Sequence, residues 1–163
     1  MSVTGLLLSQ SSMIKIPAAR PFKVLLVDDN PDGLLVRRLL LEELGLEVET
    51  ALDGEAGLRR FESGKFDVIV TDYRMPRMNG IEMIAKIRER DATARVILLS
   101  GFVEPLGLNE ENTGADVVIA KTSSEPATLA RSVKRLLNRV PARKPAGTAR
   151  AGRRAVATRA NAV

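Results

Sequence analysis

The sequence of 163 residues contains no cysteine and no histidine. The absence of cysteine excludes disulfide bonds, thiolate zinc sites and a cysteine nucleophile. The absence of histidine excludes a Ser-His-Asp triad, a histidine metal ligand and a phosphoryl group carried on an imidazole ring of this chain. Any chemistry must therefore come from Asp, Glu, Lys, Ser or Thr side chains.

Aromatic side chains and long hydrophobic runs are scarce as well. Aromatic residues make up 3% of the chain and apolar residues 45%, so the core must consist of Leu, Val, Ile and Ala. No run approaches the roughly 18 apolar residues that a membrane-spanning helix needs, and residues 6–8 are too short for the core of a signal peptide. We therefore expect a cytoplasmic protein without a membrane span.

The two ends of the chain lack the periodicity of the region between them. Residues 1–21 show no sustained pattern, and we expect a disordered leader. Residues 141–163 contain six of the basic residues that give the chain its net charge of +5, and no acidic residue. We predict a disordered basic tail. It is either a dispensable extension or an arm that binds nucleic acid weakly and non-specifically through phosphate contacts.

Residues 22–140 alternate about five times between short apolar runs and helical patterns. Strands are predicted at Lys23–Val27, Leu46–Ala51, Phe66–Thr71, Arg95–Leu99 and Asp116–Ala120. Because these runs are apolar almost throughout, both faces of each strand are expected to be covered. The pattern predicts an α/β domain with a parallel sheet and helices on both sides.

The helices between these strands carry recognisable start and stop signals. The predicted helices span residues 31–44, 53–63, 81–90 and 124–139. The first begins with Asn30 as its cap and Pro31 at its first position, and its predicted apolar face carries Val36, Leu40 and Leu44 at four-residue spacing. Gly33 in its first turn weakens it by about 1 kcal/mol relative to Ala. Between Ser100 and Gly114 we predict only a short or irregular helix that starts near Pro105.

Polar side chains stand at the carboxyl ends of four predicted strands. Asp28 and Asp29 follow the first strand, Asp72 the third, Ser100 the fourth and Lys121 the fifth. Ligands bind at this edge of open α/β sheets, so the five side chains share one crevice if their strands are neighbours. Like charges 4 Å apart repel by about 4 kcal/mol at an effective dielectric near 20. Three carboxylates together therefore indicate a hard cation, and an all-oxygen ligand set favours Mg²⁺.

The same crevice would suit phosphoryl transfer to a carboxylate. An Asp side chain can form an acyl phosphate as a covalent intermediate. A metal ion and Lys121 would neutralise the phosphoryl oxygens, while Ser100 would donate a hydrogen bond to one of them. The sequence has no Gly-rich phosphate loop, which argues against a bound nucleotide.

Five motifs resemble, in order and spacing, the receiver domain of bacterial two-component response regulators, the CheY-like family. They are VDDNPD, ALDGEAGL, TDYRMPRMNG, LLSG and GADVVIAK, and they lie within residues 22–140. The resemblance implies a doubly wound, five-stranded parallel sheet in the order 2-1-3-4-5, a flavodoxin-like three-layer sandwich. It also implies that Asp72 is the phosphoacceptor, that Lys121 pairs with the phosphoryl oxygens and that Ser100 is the hydroxyl that moves towards them.

The resemblance implies a metal site and a signalling role as well. Asp28 and Asp29 match the acidic pair that binds Mg²⁺ together with Asp72 and the backbone carbonyl of Arg74. The implied function is that of a stand-alone receiver, which takes its phosphoryl group from a histidine kinase or phosphotransfer protein. It would signal through altered contact with another, unidentified protein. No enzymatic activity is expected beyond its own phosphorylation and dephosphorylation.

Two residues depart from the family pattern. Val118 occupies the position where the family usually has Tyr or Phe, the partner of the hydroxyl switch. Thr122 replaces the proline that usually follows the lysine through a cis bond, and a non-proline cis bond costs about 3–4 kcal/mol. We therefore predict a trans bond between Lys121 and Thr122.

Two other functions stay open. A degenerate receiver that never switches would act as an interaction scaffold, as the departures at Val118 and Thr122 suggest. A phosphatase with an Asp nucleophile would use the same kind of sheet, but such enzymes usually carry a general-acid Asp two residues after the nucleophile. Arg74 stands there instead, which argues against this alternative.

Overall fold

The computed structural model describes residues 20–139. The predicted leader, apart from its last two residues, and the predicted basic tail lie outside the described residues. Within the described part, no helix is long and apolar enough to cross a membrane.

Five parallel strands form a single sheet in the order β2-β1-β3-β4-β5, as predicted. The strands are β1 Lys23–Val27, β2 Glu47–Ala51, β3 Val68–Asp72, β4 Val96–Ser100 and β5 Val117–Ala120. The third and fourth strands each run one residue further than predicted. Asp72 and Ser100 are therefore the last residues of their strands, and their backbones are paired within the sheet.

Within residues 20–139, six helices flank this sheet. They are α1 Pro31–Glu43, α2 Gly54–Ser63, α3 Gly80–Arg90, α4 Val103–Leu106, α5 Glu110–Thr113 and α6 Glu125–Leu137. Alternate residues of each central strand point to opposite faces. One face packs against α1 and α6 around Leu26, Leu41 and Leu129, and the other against α2 and α3 around Leu25 and Ile84. The predicted three-layer sandwich is confirmed.

The packing face of α1 differs from the predicted one. Val36 is 61% exposed, whereas Leu34 and Leu41 are buried against the sheet. Leu40 and Leu44 lie partly buried at the edge of the same contact. Between Leu34 and Leu41, the sheet-facing side of the helix is occupied by Arg37. A prediction that considers only apolar residues leaves Arg37 out and therefore assigns the wrong face of the helix to the sheet.

The segment after β4 forms two helices of four residues each, which confirms the predicted irregularity. The first begins at Val103, two residues before Pro105, because the amides of a first helical turn need no intrahelical partner and proline fits there. Gly107 ends it in the left-handed conformation, with φ 58°. Asn109 then caps α5. No peptide bond within residues 20–139 is cis, so the Lys121–Thr122 bond is trans as predicted.

Candidate functional site

A crevice at the carboxyl edge of the sheet brings all the predicted site residues together. Its cavity volume is about 340 Å³, and it opens between the ends of β1, β3, β4 and β5. The residues that line it are Asp28, Asp29, Asn30, Asp72, Arg74, Ser100, Gly101, Phe102 and Lys121. The strand order alone explains this convergence, because β1, β3, β4 and β5 are consecutive neighbours.

Asp72 is fixed at the end of β3 by the backbone on either side of it. The amide of Tyr73 donates to the carbonyl of Leu99 at 2.8 Å, which continues the pairing with β4. The amide of Gly80 donates to the carbonyl of Tyr73 at 2.9 Å. A Cβ atom on Gly80 would overlap the carbonyl oxygen of Asp72, so only glycine allows α3 to begin this close.

The loop from β3 to α3 ends in a capping box. The side chain of Asn79 accepts from the amide of Glu82 at 2.9 Å, and the Glu82 carboxylate accepts from the amide of Asn79 at 2.9 Å. Within this loop Arg77 has φ 66°, an uncommon conformation for a residue with a side chain, and its guanidinium lies 3.3 Å from Asp53. The Asn-Gly pair in the sequence thus marks the start of α3.

Asp28, Asp29 and Asp72 form the acidic cluster. One carboxylate oxygen from each lies within 4.8 Å of the others. Asp28 and Asp72 are buried, while Asp29 is exposed at the mouth of the crevice. The amide of Asn30 donates to Asp28 Oδ1 at 2.9 Å and fixes that carboxylate. This all-oxygen set, with one ligand open to solvent, fits a hydrated Mg²⁺ ion.

Lys121 supplies a positive charge to two of these carboxylates. Its Nζ atom lies 2.7 Å from Asp72 Oδ1 and 3.3 Å from Asp28 Oδ2. Burial raises the pKa of the Asp72 carboxyl; the hydrogen bond and charge of Lys121 lower it, and the charge of Asp28 raises it again, so the pKa stays above its ordinary value. The ammonium group alone therefore does not balance the buried negative charge.

Ser100 and Arg74 border the cluster from the other side. The Ser100 hydroxyl oxygen is buried and accepts from the amide of Phe102 at 2.9 Å, which leaves its own proton to donate. The Arg74 guanidinium stacks on the Phe102 ring, 4.7 Å from its centroid. The side chains of Arg74 and Phe102 thus meet at the rim of the crevice. The role of the Arg74 backbone carbonyl as a metal ligand stays a prediction.

Two residues beside the crevice, Arg37 and Glu125, were missed by sequence reasoning. Arg37 donates to Asp28 Oδ2 from Nη1 at 2.9 Å and to Glu125 Oε1 from Nε at 2.6 Å. The one signal in the sequence that could have indicated them is Gly33, because glycine is unfavourable in a helix. A Cβ atom at this position would lie 2.7 Å from Arg37 Nη1, so glycine makes room for the guanidinium.

The two departures from the family pattern lie next to this site. Val118 is half-buried in β5 and packs with the apolar residues on the α2–α3 face of the sheet. Thr122 follows Lys121 on the surface, where its hydroxyl and that of Ser124 lie 2.9 Å apart. No aromatic ring is therefore present at position 118. The loop after Lys121 has no proline at position 122, and local hydrogen bonds hold it instead.

This fold and crevice match known proteins. The family model of the response regulator receiver domain matches residues 24–134. The alkaline phosphatase synthesis transcriptional regulatory protein PhoP of Bacillus subtilis is 35% identical over 121 residues, which cover 72% of this chain and 49% of PhoP. The chain spans about half or less of the length of the curated relatives it matches.

Solved structures agree with the family match. The chemotaxis response regulator CheY4 of Vibrio cholerae has 31% sequence identity and a TM-score of 0.65, covering 71% of this chain and 98% of its own. The response regulator TrrA of Thermotoga maritima, in complex with Mg²⁺–BeF, has 31% identity and a TM-score of 0.64 with the same coverage. Residues 24–134 thus carry the family's sequence pattern, sheet order and acidic cluster, and the chain belongs to the response regulator receiver domain family.

Proposed function

We propose that this chain accepts a phosphoryl group on Asp72 in a Mg²⁺-dependent reaction and thereby changes its contact with another protein. The observation that carries the proposal is the environment of Asp72. Asp72 is 5% exposed, and the Lys121 ammonium group lies 2.7 Å from its carboxylate. One of its oxygens lies within 4.8 Å of an oxygen from each of two further carboxylates. The family to which the chain belongs is a signalling domain rather than a classical enzyme.

The acidic cluster would hold the metal. Asp28, Asp29, Asp72 and the backbone carbonyl of Arg74 are the proposed ligands, and Mg²⁺ bound there would neutralise charge on the phosphoryl oxygens. The complex of TrrA with Mg²⁺–BeF supports this choice of ion, since TrrA shares the fold and 31% of the sequence.

In the proposed step a carboxylate oxygen of Asp72 attacks the phosphorus atom of the donor. The bond from phosphorus to the donor nitrogen or oxygen breaks, and the donor leaves with the electron pair of that bond. Lys121 then pairs with a phosphoryl oxygen instead of the free carboxylate, and the Ser100 hydroxyl donates to another. Both groups already line the crevice.

The donor in this proposal is another molecule, because the chain has no histidine. Receiver domains accept their phosphoryl group from histidine kinases, so a histidine kinase or phosphotransfer protein is the proposed donor. Signalling by a stand-alone receiver through an unidentified protein, a cytoplasmic location and weak nucleic-acid binding by the tail stay predictions.

The test is an intact-mass measurement after incubation with Mg²⁺ and acetyl phosphate. We expect an increase of one phosphoryl group on the wild type and on Asp32→Ala, a control that removes an exposed acid outside the crevice lining. Asp72→Ala should show no increase, and chelation of Mg²⁺ should abolish labelling of the wild type. An adduct on Asp72→Ala, or none on the wild type, would contradict the proposal.

A second candidate is the non-switching scaffold, and Val118 and Thr122 favour it. It differs from the first proposal in the output rather than in the labelling. If Asp72 is labelled but amide chemical shifts in α4, α5 and α6 stay unchanged, the scaffold explains the chain better. Changes in those helices on labelling would reject it.

A further inference from the structure

A buried ion pair joins α1 to the start of α6 directly beside the acidic crevice. Arg37 donates from Nε to Glu125 Oε1 at 2.6 Å and from Nη2 to Glu125 Oε2 at 3.0 Å. The two side chains are 11% and 9% exposed. This bidentate geometry is the strongest form of a carboxylate–guanidinium contact, and it links residues 88 positions apart in the sequence.

The same guanidinium also reaches into the crevice. Its Nη1 atom donates to Asp28 Oδ2 at 2.9 Å, the oxygen that lies 3.3 Å from Lys121 Nζ. Gly33 gives it the necessary room, since a Cβ atom there would stand 2.7 Å from Nη1 and 3.6 Å from Asp28 Oδ2. Arg37 thus contacts one carboxylate inside the crevice and one outside it.

The charge of Arg37 is permanent. Burial alone would lower the pKa of the guanidinium, but the hydrogen bond and charge of Glu125, with the charges of Asp28 and Asp72, more than offset this and raise the pKa. Breaking a buried pair is costly, yet an apolar pair of similar volume often gives equal or greater stability. Stability alone therefore does not explain a buried arginine shared between two carboxylates.

We propose that Arg37 is a positioning residue that, through its contacts with Asp28 and Glu125, couples cation occupancy of the crevice to the N-terminal end of α6. This inference rests on the proposed function only in that the crevice binds Mg²⁺. A cation bound at Asp28 would compete with Arg37 for the Oδ2 atom, and the charge of Arg37 would then be balanced by Glu125 alone. The contact between α1 and α6 tightens as a result, on the side of the sheet away from Val118.

Thermodynamic linkage makes this coupling reciprocal. If the cation strengthens the Arg37–Glu125 contact, then removal of the Glu125 carboxylate must weaken cation binding. Without Glu125, the whole charge of Arg37 falls on Asp28 and competes with the cation for its oxygen. Glu125 does not line the crevice, and its hydrogen-bonded connection to Asp28 runs through Arg37.

The test is a Mg²⁺ titration of the full chain. Tyr73 is the single tyrosine, and the chain has no tryptophan, so intrinsic fluorescence reports on the residue next to Asp72. We expect Glu125→Gln to bind Mg²⁺ about fivefold more weakly than the wild type, the lower end of typical couplings between sites. The control is Glu42→Gln, which breaks the exposed Arg38–Glu42 pair on α1. It should bind Mg²⁺ as the wild type does.

A double variant shows whether Glu125 acts through Arg37. In Arg37→Gln/Glu125→Gln the guanidinium that competes with Mg²⁺ for Asp28 is absent, and so is its partner carboxylate. We expect it to bind Mg²⁺ at least as tightly as the wild type. Wild-type affinity in Glu125→Gln, or the same weakening in the double variant as in Glu125→Gln, would overturn the inference. Circular dichroism and thermal unfolding of each variant verify that it is folded.

A second measurement reads the coupling from the other side. We expect the Arg37 Nε–H resonance and the backbone amide of Glu125 to shift as Mg²⁺ saturates the wild type, and an absence of both shifts would overturn the inference. The outcome is separable from that of the proposed function. A chain that binds Mg²⁺ with these effects but takes no phosphoryl group would refute the phosphoacceptor role alone, whereas a wild type that binds no Mg²⁺ would refute both.

Discussion

The two halves of the sheet are built differently. Around β1 and β3, the helices α1, α2 and α3 have 10 to 13 residues, and the acidic cluster lies at the carboxyl ends of these two strands. Beside β4 and β5, the segment from 103 to 113 forms two four-residue helices, and the family pattern fails at Val118 and Thr122. The half with the proposed metal ligands is thus regular, whereas the half expected to relay the signal is irregular between β4 and β5 and regular again only in α6.

The sources of order differ accordingly. The α3 helix buries Met83, Ile84 and Ile87 completely, and burial of such a side chain contributes about 1.5–3 kcal/mol. The α4 helix buries none of its four residues, and α5 buries only Thr113. The short helices therefore depend on cap and turn hydrogen bonds, which suits a region that changes shape more than it suits a rigid support for chemistry.

The largest expected effect is a difference in amide hydrogen exchange between these halves. We expect the amides of α3 that are hydrogen-bonded within the helix to exchange at least about 1,000-fold more slowly than those of α4, because α4 opens without exposing a buried side chain. Exchange followed by NMR on the wild type measures this ratio. Equal protection of the two helices would remove the basis of the comparison.

The next effect concerns the chemistry of Asp72, the residue of the regular half that Lys121 contacts from the end of β5. Lys121→Gln removes the ammonium group 2.7 Å from Asp72, and we expect the rate of labelling by acetyl phosphate to fall about 100-fold, the scale for loss of one charge-stabilising donor. Intact mass against time gives the rate. The matched control is Lys86→Gln, an exposed position on α3, which should keep the wild-type rate. A Lys121→Gln variant that labels at that rate would argue against its role.

A smaller effect is expected on stability without metal. Because the folded state raises the pKa of Asp72, it binds that proton more tightly than the unfolded chain does. The resulting penalty is absent below the ordinary Asp pKa of 3.8. It grows as the pH rises towards the raised folded value, and is complete above that value. We expect Asp72→Asn to raise the free energy of unfolding by about 1 kcal/mol at pH 7.

Urea denaturation at a series of pH values checks this prediction. The difference between Asp72→Asn and the wild type should shrink as the pH falls through the raised pKa of Asp72. Saturating Mg²⁺ should also reduce the difference, because the ion stabilises only the wild-type carboxylate cluster. A variant less stable than the wild type at pH 7 would show that the Lys121 contact outweighs burial of the charge.

The smallest effect on chemistry is expected in the irregular half. Val118→Phe restores a ring at the family's aromatic position in a half-buried site. We expect its labelling rate to stay within about twofold of the wild type, since Val118 does not line the crevice and a partly exposed position tolerates substitution. We expect chemical-shift changes in α4 and α5 on labelling to become larger. A large loss of labelling would mean that the two halves are not separable.

Much of the fold could be predicted because its signals are local. Strands covered on both faces read as apolar runs, and the polar residue that ends each run lies at the carboxyl edge of the sheet once the strands are parallel. The sequence therefore predicts that Asp72, Ser100 and Lys121 share one crevice, and the structure brings them together there. The Asn30–Pro31 helix start is an equally local signal.

What escaped prediction depends on contacts between distant residues. Arg37 reads as part of a polar face of α1 until Glu125, 88 residues away, is placed opposite it. The same arginine shifts the apolar face of α1, so that Val36 points outwards while Leu34 and Leu41 pack on the sheet. The spacing of residues within α1 cannot reveal this pair, because the partner of Arg37 belongs to another helix.

The glycine at the start of α3 determines which parts of the domain are able to move. Gly80 packs against the Asp72 carbonyl, and its amide donates a hydrogen bond to the carbonyl of Tyr73. The end of β3 and the first turn of α3 are therefore held tightly together. We therefore expect the loop of residues 73–79 to absorb little of a displacement at Asp72. The opposite wall of the crevice, formed by Ser100 and Lys121, borders the short helix α4, and we expect such a displacement to appear there instead.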